Sequence, residues 1–174
     1  MSPDPPPRQI VSDTGPLISL EKITDGYRFI RCLYDRLVVP PAVMDELVAG
    51  PLETKEAYLR HFDAEDLVVV KECSEASATE DLEPKTEHLD EGEQQAICLA
   101  LAGVAAFDWG EAGRGVTCPL GLHISGVAGQ LLKAIRENAI AREGAAAKLA
   151  ELCRAGRINR QIFEAVGAAV KNQA

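Results

Sequence analysis

The sequence predicts an α/β fold, with three α/β/α layers around a central, mainly parallel sheet of four to five strands. Short apolar runs, of a length suited to buried strands, alternate with longer segments whose apolar residues recur at helical spacing. Parallel strands need a crossover connection, and a helix in that connection covers one face of the sheet. With 174 residues, 47% of them hydrophobic, the chain has the size of one domain.

The first half of the chain contains three predicted strands, each followed by helical or turn-forming residues. A Pro-rich arm, predicted to be flexible, covers residues 1–8, and a single domain is expected over 9–174. Pro41 suits the first turn of a helix, where a missing N–H costs nothing, and Gly50 suits the end of that helix. The predicted order is strand 9–13, helices 17–23 and 27–34, strand 37–40, helices 42–48 and 53–62, and strand 67–70.

The second half of the chain is predicted to complete the sheet and then to become helical. Residues 73–89 are polar and are expected to form a mobile connector. A Gly-rich stretch separates the last predicted strand from the C-terminal portion, 127–174. The predicted order is helix 92–101, strand 104–108, and helices 127–140, 145–155 and 159–170.

The charge distribution argues against a simple electrostatic nucleic-acid binder. Net charge is −9, whereas contacts to phosphate need Lys or Arg. Residues 127–174, however, carry eight Lys or Arg against four Glu, so this portion is +4 and the remainder is −13. The basic portion is compatible either with a solvated helical face or with contacts to nucleic acid.

Cysteine usage and hydropathy predict a cytoplasmic protein that does not associate with a membrane. No stretch approaches the ~20 apolar residues of a membrane span, and the N-terminus is Pro-rich rather than basic and then apolar. The five cysteines are odd in number and have no Cys-x-x-Cys spacing, so they are predicted to be reduced packing residues. They stand at positions 32, 73, 98, 118 and 153.

Four acidic residues stand where an ordinary α/β fold does not require a carboxylate. Asp13 and Asp108 each end an apolar run predicted as a strand, and the carboxyl ends of parallel strands open a ligand crevice. Glu46 and Glu93 lie on predicted helices, where Glu93 aligns with the apolar stripe of its own helix. Like charges ~4 Å apart repel by several kcal/mol at an effective dielectric of 20. If these acids converge, a bound divalent cation is expected.

Each acid alone also has an ordinary structural explanation. Asp13 suits a helix N-cap, which is worth ~1 kcal/mol, and Glu46 suits a solvated helix face. Glu93 suits a first helical turn favoured by the helix dipole, and Asp108 suits a turn. Three neighbouring acids could substitute but are predicted on less buried sides: Asp45, Asp90 and Glu91. The joint pattern is therefore more informative than any one member.

Five segments taken together carry a resemblance to a known family. They are, in order, Val-Ser-Asp13-Thr-Gly-Pro-Leu-Ile, Val39-Pro-Pro-Ala-Val-Met-Asp-Glu46-Leu, Leu89-Asp-Glu-Gly-Glu93-Gln-Gln-Ala-Ile-Cys-Leu-Ala, Ala106-Phe-Asp108 and Gly121-Leu-His-Ile-Ser125-Gly. Over roughly residues 9–140 the chain resembles PIN-domain proteins, most closely the VapC-like branch. The resemblance implies a PIN-like fold and an Mg²⁺- or Mn²⁺-dependent endoribonuclease that hydrolyses RNA phosphodiester bonds.

The resemblance also implies partners and site residues. A VapC-like protein would be the toxin of a toxin–antitoxin pair, with RNA as substrate, a cognate antitoxin protein and a homodimeric state. The matching catalytic acids are Asp13, Glu46, Glu93 and Asp108, and the accessory hydroxyl is Thr14 or Ser125. Our hypothesis is that Asp13, Glu93 and Asp108 hold the cation directly, while Glu46 binds through water or orients the attacking water.

The loop after Asp108 departs from the family pattern. VapC-like proteins usually have another acid shortly after the fourth one, where this chain reads Trp109-Gly-Glu111. Glu111 is a further candidate ligand in an altered loop, or the position is lost. In the second case the chain would be a catalytically weak or inactive PIN-like scaffold that binds RNA or a partner protein.

Other chemistries find less support in the sequence. Asp13-Thr-Gly also spells the aspartic-protease triplet, but that fold is almost entirely β and this chain is rich in helical stripes. An aspartyl-phosphate enzyme would want a second acid where Gly15 stands, and no Gly-x-Gly-x-x-Gly or Walker loop occurs. The histidines at 61, 88 and 123 share no metal-binding spacing. Oxygen ligands alone favour Mg²⁺ or Mn²⁺ over Zn²⁺.

Overall fold

The central feature of the molecule is a parallel sheet within an α/β/α fold. The computed structural model describes residues 5–73, 88–102, 122 and 125–172. Among these residues, three strands pair in the order β1-β2-β3, and all of them run parallel. The strands are β1 Gln9–Val11, β2 Arg36–Val39 and β3 Val68–Val70. The predicted fold class is confirmed, while the predicted strand 104–108 lies outside the described residues.

Helices connect and follow the strands, and eight of them lie in the described ranges. Local sequence explains several of their starts: Pro41 occupies the first turn of its helix, and the Thr54 hydroxyl accepts a hydrogen bond from Ala57 N at 3.1 Å. Their bounds are α1 Thr14–Glu21, α2 Gly26–Arg31, α3 Pro41–Val48, α4 Lys55–His61, α5 Glu91–Leu101, α6 Val127–Arg136, α7 Arg142–Arg154 and α8 Arg160–Asn172.

One hydrophobic core joins the sheet to the C-terminal helices. Val11 and Val39 of the sheet are completely buried, and so are Leu131 of α6 and Leu152 of α7. Burying one such side chain stabilises a fold by ~1.5–3 kcal/mol. Since α6 contacts α1 and the two following helices pack on α6, residues 127–172 are joined to the helix that follows Asp13.

Two helices end at least three residues earlier than the sequence predicted. The helix expected over 27–34 ends at Arg31, because Cys32 N bonds to Phe29 O and Leu33 N bonds to Ile30 O in a tighter, three-residue spacing. The helix expected over 127–140 ends at Arg136, because Asn138 adopts a left-handed conformation with φ 56°. Neither change alters the order of elements.

The prediction that all five cysteines are reduced is wrong for two of them. Cys73 and Cys98 form a disulfide with their Cα atoms 6.2 Å apart, although 25 residues separate them in sequence. Cys73 follows β3 and Cys98 lies on α5, so the packing of that helix brings the thiols together. Cys32 is exposed rather than packed, and Cys118 lies outside the described ranges. The cysteine argument for a cytoplasmic location therefore no longer holds.

The helices of the described residues are too short or too polar to cross a membrane. Most of the predicted connector 73–89 falls outside the described part of the chain, as does the start of the predicted N-terminal arm.

Candidate active site

Asp13 stands just beyond the carboxyl end of β1. The parallel pairing with β2 extends as far as Ser12, whose N–H donates to Val38 O at 2.8 Å, so Asp13 lies at the edge of the sheet. Asp13 is at the N-cap position of α1, but its side chain makes no capping hydrogen bond. The side chain is nevertheless only 5% exposed. The ordinary explanation of this acid as a helix cap is therefore not supported by its geometry.

Thr14 links this edge of the sheet to Glu46. Because β1 and β2 are neighbours, α1 and α3 both begin at the same sheet edge and contact each other. Thr14 Oγ1 donates a hydrogen bond to Glu46 Oε2 at 2.5 Å. Bonds to a charged acceptor are stronger than neutral ones, so this bond fixes one oxygen of the carboxylate. Two of the predicted site residues, Thr14 and Glu46, are thus in direct contact.

The first turn of α5 brings Glu93 toward the same carboxylate. Asp90 caps this helix, and its Oδ1 accepts a hydrogen bond from Glu93 N at 2.8 Å. The pKa of the half-buried Glu93 carboxyl is raised, first by desolvation and then by the charge of Asp90, with Glu46 also contributing. A hydrogen bond from the Asp90 backbone and the charge of His88 act in the opposite direction. The Glu93 carboxyl therefore lies near enough to Asp90 and Glu46 for their charges to raise its pKa.

Gly92 allows α3 and α5 to approach closely at this point. A Cβ atom at Gly92 would lie 3.0 Å from Val43 Cγ2, 3.2 Å from Glu46 Oε1 and 3.4 Å from Asp90 Oδ1. Two carboxylate oxygens from different helices thus face the same small space, which a larger residue would occupy. The close approach explains why a glycine, a poor helix former, stands in the first turn of α5.

Arg157 approaches Asp13 from the connection between α7 and α8. Its Nη2 donates to Gly15 O at 2.9 Å, and its Nε donates to Ser19 Oγ at 3.0 Å. A Cβ atom at Gly15 would lie 3.7 Å from Asp13 Oδ1 and 4.0 Å from Arg157 Nη2. A guanidinium therefore borders the acidic edge.

Sequence reasoning identifies Asp90 only as a substitute acid and misses Gly92 and Arg157. The spacing Asp90-x-x-Glu93 is a helix-capping signal that could have assigned Asp90 to the helix start. Gly92 is an unfavourable helix residue, and nothing else in the sequence around it indicates a role in the site. Arg157 is remote in sequence, and its position depends on the packing of α7 and α8 on the rest of the chain.

The remaining predicted residues are not joined to this group by the described geometry. Ser125 precedes α6, and its hydroxyl lies over Gly129, so close that a Cβ atom there would collide with it. Asp108 and Glu111 lie outside the described residues, as does Trp109. Their roles as ligands or as a departure from the family pattern stay predictions.

The donor chemistry suits a hard divalent cation. The acids and the Thr14 hydroxyl offer oxygen atoms, which Mg²⁺ and Mn²⁺ prefer. Desolvation and neighbouring negative charge disfavour ionised Glu93, and a nearby cation would reverse the second effect. Within ranges 5–73, 88–102 and 125–172, no three His, Cys, Asp or Glu side chains are close enough to hold a metal by themselves. A metal site in this region would therefore need at least one ligand besides these side chains.

Comparison with known protein families gives a match over almost the whole chain. The family model described as DUF3368, a PIN domain, matches residues 9–172. A search of curated proteins and of solved structures found no match. The matched range begins at β1 and ends with α8, so it includes the strand end that positions Asp13 and both helices that carry the glutamates. The chain therefore belongs to the PIN-domain family.

Proposed function

We propose that this protein is a metal-dependent ribonuclease that hydrolyses RNA phosphodiester bonds. PIN domains are generally nucleases, and they usually use divalent metals. The observation that carries the proposal is the Thr14–Glu46 contact beside the strand end that holds Asp13, with Glu93 near enough for Glu46 to affect its pKa. Asp13 follows β1, its neighbour Thr14 bonds to Glu46 of α3, and Glu46 in turn affects the ionisation of Glu93 on α5.

In the proposed site, Asp13, Glu93 and Asp108 would hold Mg²⁺ or Mn²⁺, with Glu111 as a further candidate ligand. The cation supplies a more acidic water and neutralises charge that builds up on the scissile phosphate. Glu46 would orient the attacking water through Oε1, since Thr14 already occupies Oε2. Burial of Asp13 limits competing water at the sheet edge. No covalent bond between enzyme and RNA is required.

The finer assignment is a VapC-like toxin with an antitoxin partner, a homodimeric state and a cytoplasmic location. Its support is the order of the acidic motifs in the sequence and the resemblance that they carry. The altered loop at Trp109 supports the second candidate, a scaffold of PIN-like fold that binds RNA or a partner without cleaving.

Calorimetric titration with Mn²⁺, combined with cleavage of a mixed RNA pool, distinguishes the two functions. We expect the wild-type protein to bind Mn²⁺ and to cleave RNA. Asp13→Asn should lose cleavage but should keep its melting temperature in EDTA, because the substitution relieves repulsion among the acids of the site. Asp45→Asn is the matched control, since Asp45 is exposed on α3 next to Glu46.

Two outcomes would contradict the enzymatic proposal. Cleavage by Asp13→Asn at the wild-type rate would show that Asp13 is not part of the site. RNA binding without cleavage, together with no Mn²⁺ binding at millimolar concentration, would favour the scaffold.

A further inference from the structure

The Arg157 side chain is held in place from both ends. At its backbone, Gly156 adopts a left-handed conformation with φ 68°, and Arg157 N donates to Leu152 O at 2.9 Å. This arrangement closes α7 and directs the next residue away from the helix axis. At its tip, the two hydrogen bonds to Gly15 O and Ser19 Oγ fix the guanidinium on the first turns of α1.

Fixing the guanidinium there puts a positive charge beside an acidic edge. Arg157 Nη2 and Asp13 Oδ1 both lie within 4.0 Å of the position that a Gly15 Cβ would occupy. Because Gly15 has no side chain, it does not separate the guanidinium of Arg157 from the carboxylate of Asp13. The acidic edge would repel a polyanion, and a cation at its border lowers that repulsion.

The anchoring bonds leave part of the guanidinium unused. A guanidinium has five N–H donors, and two of them are engaged by Gly15 and Ser19. The described residues provide no further acceptor for the others, and Arg157 is exposed to solvent. An exposed guanidinium whose remaining N–H donors lie in one plane is well suited to bind a phosphate group.

We propose that Arg157 binds a backbone phosphate of the RNA strand next to the scissile one, and so positions the strand over the acids. The proposal rests on the ribonuclease function proposed above and assigns part of the substrate site to the C-terminal portion. It also gives one base of that +4 portion a role in a protein whose net charge is −9. Arg157 is a substrate-binding residue in this account and takes no part in proton transfer.

The test measures the salt dependence of RNA binding, which a merely structural arginine would not change. Fluorescence anisotropy with a labelled, mixed-sequence single-stranded RNA is recorded in Ca²⁺ at increasing NaCl, and a gel checks that the RNA stays intact. Arg157→Gln should weaken binding about tenfold at low salt. It should also make the slope of log K against log[salt] shallower by about 0.7, the value for one phosphate contact on a single strand.

Three further variants separate charge from anchoring. Arg157→Lys keeps the charge but cannot make both anchoring bonds, so it should lose affinity and keep the wild-type slope. Ser19→Ala removes one anchor and should also keep the slope. Arg154→Gln, an exposed arginine three residues earlier, makes the same charge change and should behave as wild type. Melting curves confirm that each variant is folded.

In Mg²⁺, single-turnover cleavage should show a higher half-saturating enzyme concentration for Arg157→Gln and little change in the maximal rate. Wild-type affinity and slope in Arg157→Gln would show that the arginine only fastens the C-terminal helices to α1, and the inference would then fail alone. A wild-type protein that neither binds nor cleaves RNA would overturn the proposed function and this inference with it.

Discussion

The Glu93→Gln variant should be at least as stable as wild type without metal, and less stable than wild type with metal. The pKa of Glu93 is raised, chiefly by desolvation and then by Asp90. A raised pKa means that this carboxyl contributes stability below its unfolded value of 4.5, and that the contribution is lost as pH rises through the folded pKa. At neutral pH in EDTA, Glu93→Gln should therefore be as stable as wild type or more stable.

Metal should have the opposite effect, and its size can be estimated. At a metal concentration of 100 times Kd, binding to the native state stabilises it by about 2.7 kcal/mol. For a chain of 174 residues, each kcal/mol raises Tm by about 2–4 °C, which gives roughly 5–11 °C for wild type. A variant with ~100-fold weaker affinity would gain only about 0.4 kcal/mol at the same concentration, or roughly 1–2 °C.

The assay is thermal unfolding at pH 7 in EDTA and in Mn²⁺, with Glu91→Gln as the control. Glu91 lies in the same helical turn, is exposed and accepts a hydrogen bond from Gln95 Nε2 at 2.9 Å. This control makes the same charge change and should keep the full metal response. If Glu93→Gln shows the wild-type rise in Tm with Mn²⁺, Glu93 is not a ligand and the proposed site is incorrect.

Three further predictions concern the site border, pH and the C-terminal helices. Thr14→Val should lower the free energy of unfolding by about 1 kcal/mol and reduce the rate of RNA cleavage at least tenfold. The control is Thr24→Val, which removes a similar hydroxyl bond to Glu151. In parallel melting and cleavage assays, this control should lose stability but keep the cleavage rate. The pKa of Glu151 is lowered, first by a hydrogen bond from the Thr24 backbone, so the stability that it contributes is present above pH 4.5 and is lost as pH falls through the folded pKa. Urea titrations should show that Glu151→Gln is destabilised at pH 7 and that the difference from wild type shrinks as pH is lowered. Leu149 is 1% exposed, so Leu149→Ala should lower the free energy of unfolding by about 2–5 kcal/mol. The variant should still unfold in one cooperative transition, whereas two separate transitions would show that residues 127–174 form a separate unit.

The order of strands and helices was predictable because local sequence determines it. Residues 9–11 and 36–39 are short apolar runs bounded by turn formers, and their neighbours follow helical spacing. Helix ends were less predictable, because they depend on the backbone angles of single residues such as Asn138. The Cys73–Cys98 pairing could not be predicted, since it depends on how α5 packs beside the end of β3.

The candidate site was predictable only in part. The rule that ligand sites form at the carboxyl ends of parallel strands placed Asp13, and the helical stripe placed Glu93. The hydrogen bond between Thr14 and Glu46 and the space at Gly92 depend on the approach of separate elements. Arg157 is 142 residues from Gly15 in sequence, and no local pattern connects them.

A crystal soaked in Mn²⁺ tests most directly whether the acids form a metal site. The account predicts an anomalous peak at the carboxyl edge of the sheet, with oxygen atoms of Asp13 and Glu93 at roughly 2.0–2.3 Å, as for a hard divalent cation. Asp108 should supply a further ligand. A fully soaked crystal with no peak near Asp13, or with the peak at another group of side chains, would contradict the account.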